Sequence, residues 1–342
     1  MSDLAAELAS LDRLGDRIST TSNDKLGDIL RILLPKLIGL MNKEELRGKI
    51  FSILNSQLKR IRSLQDCKLP LDSLLALLRT EHLPFACNFA MTFIDIGWNR
   101  QLKSMDNPSV MENIIRELCI SLCDWAEYTP QSNALVRYCT AVIPHIAAYL
   151  KAQQALQKYD STTKEEKESV EEKKSSMDVV TEPDNKMATL SQQQIQNIQQ
   201  TLGEAFLDIA LVRKDIIKDT AGSIHEGLDA KKVARLCARP GSADTVTFAE
   251  LRPTKLVLID CLLEGLVPIH TGIAIAITLS FERDTHLAQQ AMHKVNAFSS
   301  RKEIKEDSTV TIRTIDGLLT LCRSSQSTDS SGRPILREDI RA

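Results

Sequence analysis

The sequence predicts an all-α chain of antiparallel helix pairs stacked side by side, an α-solenoid. Three observations carry this. Apolar residues recur with the 3.6-residue helical period through one segment after another. Successive pairs begin at similar intervals: about 46 residues separate Asn23 from Leu69, inside the roughly 40–47 of two-helix repeats. Aromatic residues make up only 4% of the chain while Leu, Ile and Ala are plentiful, which suits interlocking helices better than a β-sandwich.

The stretch Asn23–Leu64 is the first pair. Its first half aligns Leu26, Ile29, Leu30, Leu33, Leu34, Leu37, Leu40 and Met41 on one stripe, with Asn23 as N-cap. Its second half aligns Leu46, Ile50, Ile53, Leu54, Leu58, Ile61 and Leu64. Between them Asn42-Lys43 leaves room only for a tight return. Pro35 lies inside the first helix, at a cost of about 3 kcal/mol in an ordinary helix interior. A tolerated proline, a short turn and then Leu46-Arg47 form the pattern of a HEAT repeat, with a bent outer helix and a straighter inner one. The alternative is a kinked hairpin in a globular all-α domain.

Residues 4 to 18 put Leu4, Leu8, Leu11, Leu14 and Ile18 on one stripe, a helix able to cover the end of a stack. After Leu69-Pro70 the spacing predicts a short helix through Leu71, Leu74, Leu75 and Leu78. Its partner carries Phe85, Phe89, Phe93 and Ile96 and ends at Gly97. A third pair opens at Asn107-Pro108 with Val110, Ile114, Leu118, Leu122 and Trp125. Its partner, Ser132 to about Lys158, turns Leu135, Cys139, Val142, Ile146 and Tyr149 inward. These pairs make 1–158 an N-terminal HEAT-like region.

Residues 159–188 are rich in Lys, Glu and Ser. Within them Ser161–Lys186 has no Leu, Ile or aromatic residue, so a disordered linker is expected. The alternative is a solvated extension of the preceding helix to about Lys174. Residues 189–342 form a second helical-repeat segment. Helices are expected from Ser191 and over Ala230–Cys237, Thr254–Leu266, Thr271–Leu279, Thr285–Phe298 and Thr311–Cys322, with a loop over Pro240–Pro253. The alternation within Gly272–Leu279 also fits a short strand. The polar ending Ser324–Ala342 breaks off as though in mid-repeat, an expectation of a longer natural chain.

Lys plus Arg number 43 against 45 Asp plus Glu, and the net charge of −2 argues against a nucleic-acid binder working by phosphate neutralisation. Eight cysteines (67, 87, 119, 123, 139, 237, 261 and 322) are scattered without a C-x-x-C pair, as in a reduced intracellular protein. The N-terminus is amphipathic and acidic, unlike a signal peptide. Within Leu256–Phe281 the uninterrupted apolar run falls far short of the roughly 20 residues of a membrane span, so no membrane insertion is expected.

No phosphate loop, H-E-x-x-H or G-x-S-x-G motif is present. Gly222–Gly227 holds Ser223 and His225 without a nucleophile-elbow setting. Asp284 and His286 precede His293, but two histidines seven residues apart on a helix lie about 10 Å apart, too far to share an ion. Cys119 and Cys123 lie one helical turn apart, where a soft metal or apolar packing could use them, and packing is the better reading. His145, after Pro144 in an apolar helix, reads as a core residue. No catalytic, metal or cofactor site is assigned, and a helical enzyme centred on His225, Asp284 and His286 is the alternative from another class. The one basic cluster is Arg47, Lys49, Lys59, Arg60 and Arg62, a candidate partner-binding site for an acidic protein. Its alternative is a solvated helix face with cations near a helix C-terminus.

Several stretches resemble one family, the very large HEAT-repeat adaptor and scaffold protein of the proteasome. They are Leu11-Asp12-Arg13-Leu14, Leu33-Leu34-Pro35-Lys36-Leu37, Leu46-Arg47-Gly48-Lys49, Leu58–Ile61 and Leu69-Pro70-Leu71 with Leu74-Leu75. The pairing of Asn88-Phe89 with Gly97-Trp98 and Arg100 carries most of the weight. Farther on, Arg283-Asp284-Thr285-His286 with Ala288 and Ala291 is similar to a later segment of that family, and Ile335-Leu336-Arg337 resembles a following helix start. The resemblance implies an N-terminal region of a non-enzymatic tether, cytoplasmic and nuclear, that holds regulatory and core particles together and links them to other machinery. A nuclear-transport receptor or phosphatase scaffold of HEAT repeats is the runner-up.

Overall fold

Helix follows helix with short breaks in the computed structural model. It describes residues 2–80, 84–101, 108–124, 129–168, 190–214, 223–224, 228, 230–236, 245–301, 308–328 and 334–336. The chain divides into two units, Met1–Trp125 and Ala126–Ala342.

The first unit contains α1 (Ser2–Thr20), α2 (Asn23–Gly39), α3 (Glu44–Ser63), α4 (Leu71–Thr80), α5 (Pro84–Gln101) and α6 (Pro108–Asp124). A 3-10 turn, Leu40–Asn42, makes the tight return between α2 and α3. α1 packs on α3 and α3 on α5, while α2 packs on α4 and α4 on α6. Each helix thus meets its next-but-one neighbour in one of two layers, as stacked helix pairs require. The layers meet through Leu26, Leu30, Leu34 and Leu37 of α2 and Leu46, Ile50, Leu54 and Ile61 of α3, all buried. Each such side chain contributes about 1.5–3 kcal/mol on leaving water. Pro35 is tolerated inside α2.

Three sequence expectations change here. Ser22, in extended backbone, is the N-cap of α2, and Asn23 is its first helical residue. The side chain of Asn23 is used elsewhere, as described below. α5 continues past Gly97 to Gln101, and its buried face is Ala86, Cys87, Ala90, Phe93, Ile94, Gly97 and Trp98. Phe85 is exposed and Phe89 and Ile96 are only partly covered. The small residues face the core because they admit close helix approach: a Cβ on Gly97 would lie 2.7 Å from Leu71 Cδ2. Leu4 and Val110 are exposed, so the stripes of α1 and α6 begin later than periodicity suggests.

The second unit contains α7 (Pro130–Ala141), α8 (Ile143–Glu168), α9 (Gln192–Leu211), α10 (Ala230–Arg235), α11 (Phe248–Cys261), α12 (Ile269–Ser280), α13 (Thr285–Ser299) and α14 (Ser308–Cys322). α8 packs on α11 and α11 on α13, while α9 packs on α12 and α12 on α14, the same two-layer alternation. The single helix expected over Ser132–Lys158 is two helices. The backbone breaks at Val142, and Pro144 lies in the first turn of α8, where its missing N–H and its ring keep the α7 helix from running on. His145, in the first turn of α8, is exposed and not in the core. α8 reaches Glu168 and so occupies the first part of the span read as a charged linker. The remainder of 159–188 lies outside the described residues.

Pro253 was expected to end a loop, yet it lies inside α11. The start is set upstream, where Thr247 and Glu250 form a reciprocal capping box. Thr129 with Ser132 and Ser191 with Gln194 start α7 and α9 in the same way. The Gly272–Leu279 alternation is helical, part of α12, and among the described residues no helix is long and apolar enough to cross a membrane.

Two short antiparallel pieces accompany the helices. β1 (Arg213–Lys214) pairs with β2 (Ser223–Ile224), and β3 (Arg323–Thr328) with β4 (Pro334–Leu336). Ile335-Leu336, read as a helix start, is therefore strand: two apolar residues after Pro334 carry no helical period. The fold is all-α with these local annexes.

Lys255 braces the second unit from within. It is fully buried, and its ammonium donates to Glu282 Oε2 at 3.0 Å, to Ala210 O at 3.4 Å and to Val212 O. Burial pushes its pKa down while Glu282 pulls it back. The Phe248 ring lies 5.0 Å from the ammonium.

Candidate protein-interaction surface

The five cations of the basic cluster all lie on α3, and the fold gives them different jobs. Arg60 turns back onto the C-terminus of α1. Its guanidinium donates to Ile18 O at 2.9 Å and to Thr21 O, and to Asn23 Oδ1 at 2.7 Å. Helix-end carbonyls have no intrahelical donor, so this arginine satisfies them and answers their partial negative charge. Lys49 pairs with Asp12 of α1. Arg47 donates to Met41 O at 3.2 Å and lies 6.0 Å from the centre of the Phe85 ring. Lys59 is exposed and has no polar partner among the described residues. Arg62 is exposed, and its own carbonyl accepts from Arg100. The cluster is thus not one patch: Arg60 and Lys49 hold α1, Arg47 is tied to Met41 O, and Lys59 and Arg62 are exposed.

Arg100 repeats the Arg60 arrangement on the next helix of the layer. It donates to Ile61 O at 2.8 Å, Leu64 O at 2.6 Å and Arg62 O at 3.1 Å, closing the C-terminus of α3. In the second unit Arg301, beyond α13, donates to Leu263 O at 2.8 Å in the turn that ends α11. Each arginine reaches a carbonyl 42, 39 or 38 residues earlier, one repeat length back.

Beside Arg100, the Gln101 amide exchanges two bonds with Leu69, donating to its carbonyl at 2.9 Å and accepting from its N–H at 3.2 Å. Leu69-Pro70-Leu71 and Gly97-Trp98 with Arg100 therefore meet in one joint between successive repeats. The residues most telling in the sequence are those that lock helix to helix.

Sequence reasoning missed the aromatic flank. Phe51 of α3 lies outside the buried stripe and is exposed, and its ring meets Phe89 of α5 edge-on at 5.5 Å between centres. Phe85 and Phe89, one turn apart on α5, face α3 at Arg47 and Phe51. The available signal was the one-turn spacing of aromatics on the side of α5 flanking its alanines. Along α3, Phe51, Ser52, Asn55, Ser56, Lys59 and Arg60 line an open hollow of about 770 Å³.

The residues considered for catalysis do not converge among the described residues. Asp284 is the N-cap of α13, accepting from the Leu287 N–H at 3.0 Å, and it pairs with Arg252 at 2.6 Å. These partners hold its carboxyl below the usual aspartate value. His286 and His293 are exposed, and His225 lies outside the described residues. Cys119 is fully buried and its thiol is pushed up by burial, the behaviour of a packing residue. No group of three or more His, Cys, Asp or Glu among the described residues could hold a metal ion.

Against family models, residues 11–340 match the proteasome component ECM29, N-terminal. The chain belongs to this ECM29 N-terminal family. The match runs through both units, from the middle of α1 to beyond β4. No curated protein and no solved structure matches the chain.

Proposed function

We propose that this chain is a non-enzymatic adaptor that associates with the proteasome, holding regulatory and core particles together and linking them to other machinery. The single observation that carries this reading is the ECM29 family match over 11–340. It favours the proteasome over the nuclear-transport and phosphatase-scaffold readings, which share only the repeat architecture. The structure supports a binding role through broad helical flanks, while Asp284, the acid at the centre of the enzyme reading, is occupied by Arg252 and the Leu287 N–H. Localisation in cytoplasm and nucleus follows from this partner.

Sedimentation of the purified chain with purified 26S proteasomes tests the reading. Co-migration with the particle, and retention of core with regulatory particle at elevated salt, is the expected result. A chain that stays at the top of the gradient removes the proteasome assignment.

A further inference from the structure

We propose that the open hollow along α3, flanked by Phe85 and Phe89 of α5, takes an acidic segment of a partner protein, anchored by one apolar side chain. The proposal rests on the adaptor reading and names the chemistry of what one of its surfaces holds.

The aromatic floor comes first. Phe51 is 49% exposed and Phe85 56% exposed, although both belong to helices with well-buried opposite faces. The edge-on contact between Phe51 and Phe89, at an interplanar angle of 85°, fixes the rings without covering them. Arg47 steadies Phe85 from the other side. Rings held in place before binding lose little conformational freedom on contact, and this is why buried aromatic anchors dominate protein interfaces.

Charge selects the occupant. From Arg47 to Arg62 the α3 sequence contains five Lys or Arg and no Asp or Glu. Lys49 is matched by Asp12 and Arg60 faces carbonyl oxygens, whereas Lys59 and Arg62 are exposed and the half-exposed Arg47, bonded to Met41 O, faces no carboxylate among the described residues. Arg47 and Arg62 lie about 22 Å apart along the helix, the reach of a peptide of roughly seven extended residues. Between them stand Asn55 and Ser52, polar and uncharged, able to bond a backbone. Carboxylates at the two ends and an apolar side chain over Phe51 and Phe85 satisfy every part of this surface. A nucleic acid is disfavoured, because so few cations release few counterions in a chain of net charge −2.

A peptide-display selection on the immobilised full chain, counter-selected with its Lys59→Glu variant, tests the proposal. Peptides with Asp or Glu flanking a Leu, Phe or Trp are expected. In fluorescence anisotropy their affinity falls about tenfold for Phe51→Ala and Phe85→Ala, a loss that persists in high salt. Lys59→Glu weakens them as well, by an amount that fades with salt. These positions are exposed, and unchanged helical circular dichroism confirms that the variants fold. No enrichment, a basic or uncharged consensus, or equal binding by all variants overturns the hollow as a site. A fluorescent oligothymidylate that binds more tightly with the same variant sensitivity also overturns it, in favour of single-stranded nucleic acid. Proteasome sedimentation of the same variants keeps the two readings apart. Selected acidic peptides without proteasome binding by the wild type sink the adaptor reading alone, and the converse sinks the hollow alone.

Discussion

Arg60 and Arg100 perform the same task one repeat apart. Arg60 closes the carbonyl end of α1 from the end of α3, and Arg100 closes the carbonyl end of α3 from the end of α5. Arg301 does so again in the second unit. A planar guanidinium with five donors spans several carbonyls at once, which a single ammonium cannot match.

Replacing Arg100 by Met removes bonds to three carbonyls while keeping much of the stem. A loss of about 1.5–3 kcal/mol is expected, and Arg100→Lys should recover only part of it. Urea unfolding followed by circular dichroism measures both. Equal stability of the Lys variant and the wild type contradicts the clamp.

Gly97 and Gly48 are both helical glycines, and Ala should act on them in opposite directions. At Gly97 a Cβ would meet Leu71 Cδ2 at 2.7 Å and Leu69 Cβ at 3.2 Å. Both neighbours are buried, and Gly97→Ala should cost about 1–3 kcal/mol. At Gly48 nothing lies within 4 Å, so Gly48→Ala should stabilise α3 by about 0.5–1 kcal/mol. Thermal melts of the two variants check the sign.

Asp284 has two roles that two substitutions separate. Asp284→Asn keeps a good N-cap and removes the charge facing Arg252, whereas Asp284→Ala also removes the cap, a further loss of about 0.5–2 kcal/mol. The folded pKa is held below the unfolded value of 3.8, chiefly by Arg252. Stability from the charge is therefore complete above that value and disappears as the pH falls through the folded pKa. The advantage of wild type over Asp284→Asn should be present at neutral pH and close below about pH 4. Denaturation series across pH measure it.

Lys255→Met removes the ammonium bonded to the buried Glu282 and should destabilise the second unit by about 3–5 kcal/mol. Adding Glu282→Leu should restore part of the loss but not all, because the carbonyls of Ala210 and Val212 also lose their donor. Unfolding midpoints of the single and double variants decide this.

The helical pairs were legible because α2, α3 and α9 bury the residues their period selects. The start of α11 was not read: the Thr247 and Glu250 capping box lies within the span Pro240–Pro253 read as a loop. The face of α5 was not legible: periodicity ranks Phe above Ala, while close packing on Leu69 and Leu71 favours Ala90 and Gly97 inward. The basic cluster was legible in the sequence, but the way its members divide between helix-end contacts and solvent was not. Whether a cation on a helix is spare depends on oxygens a repeat length away, and Arg60 shows how such oxygens claim it.

Because each guanidinium joins a helix to the one two places before it, force applied at the amino end of the first unit cannot peel α1 away by itself. Rupture must break Arg60 from Ile18 and Thr21, loosening α3 in the same event. Under load, α1 and the end of α3 should therefore yield together.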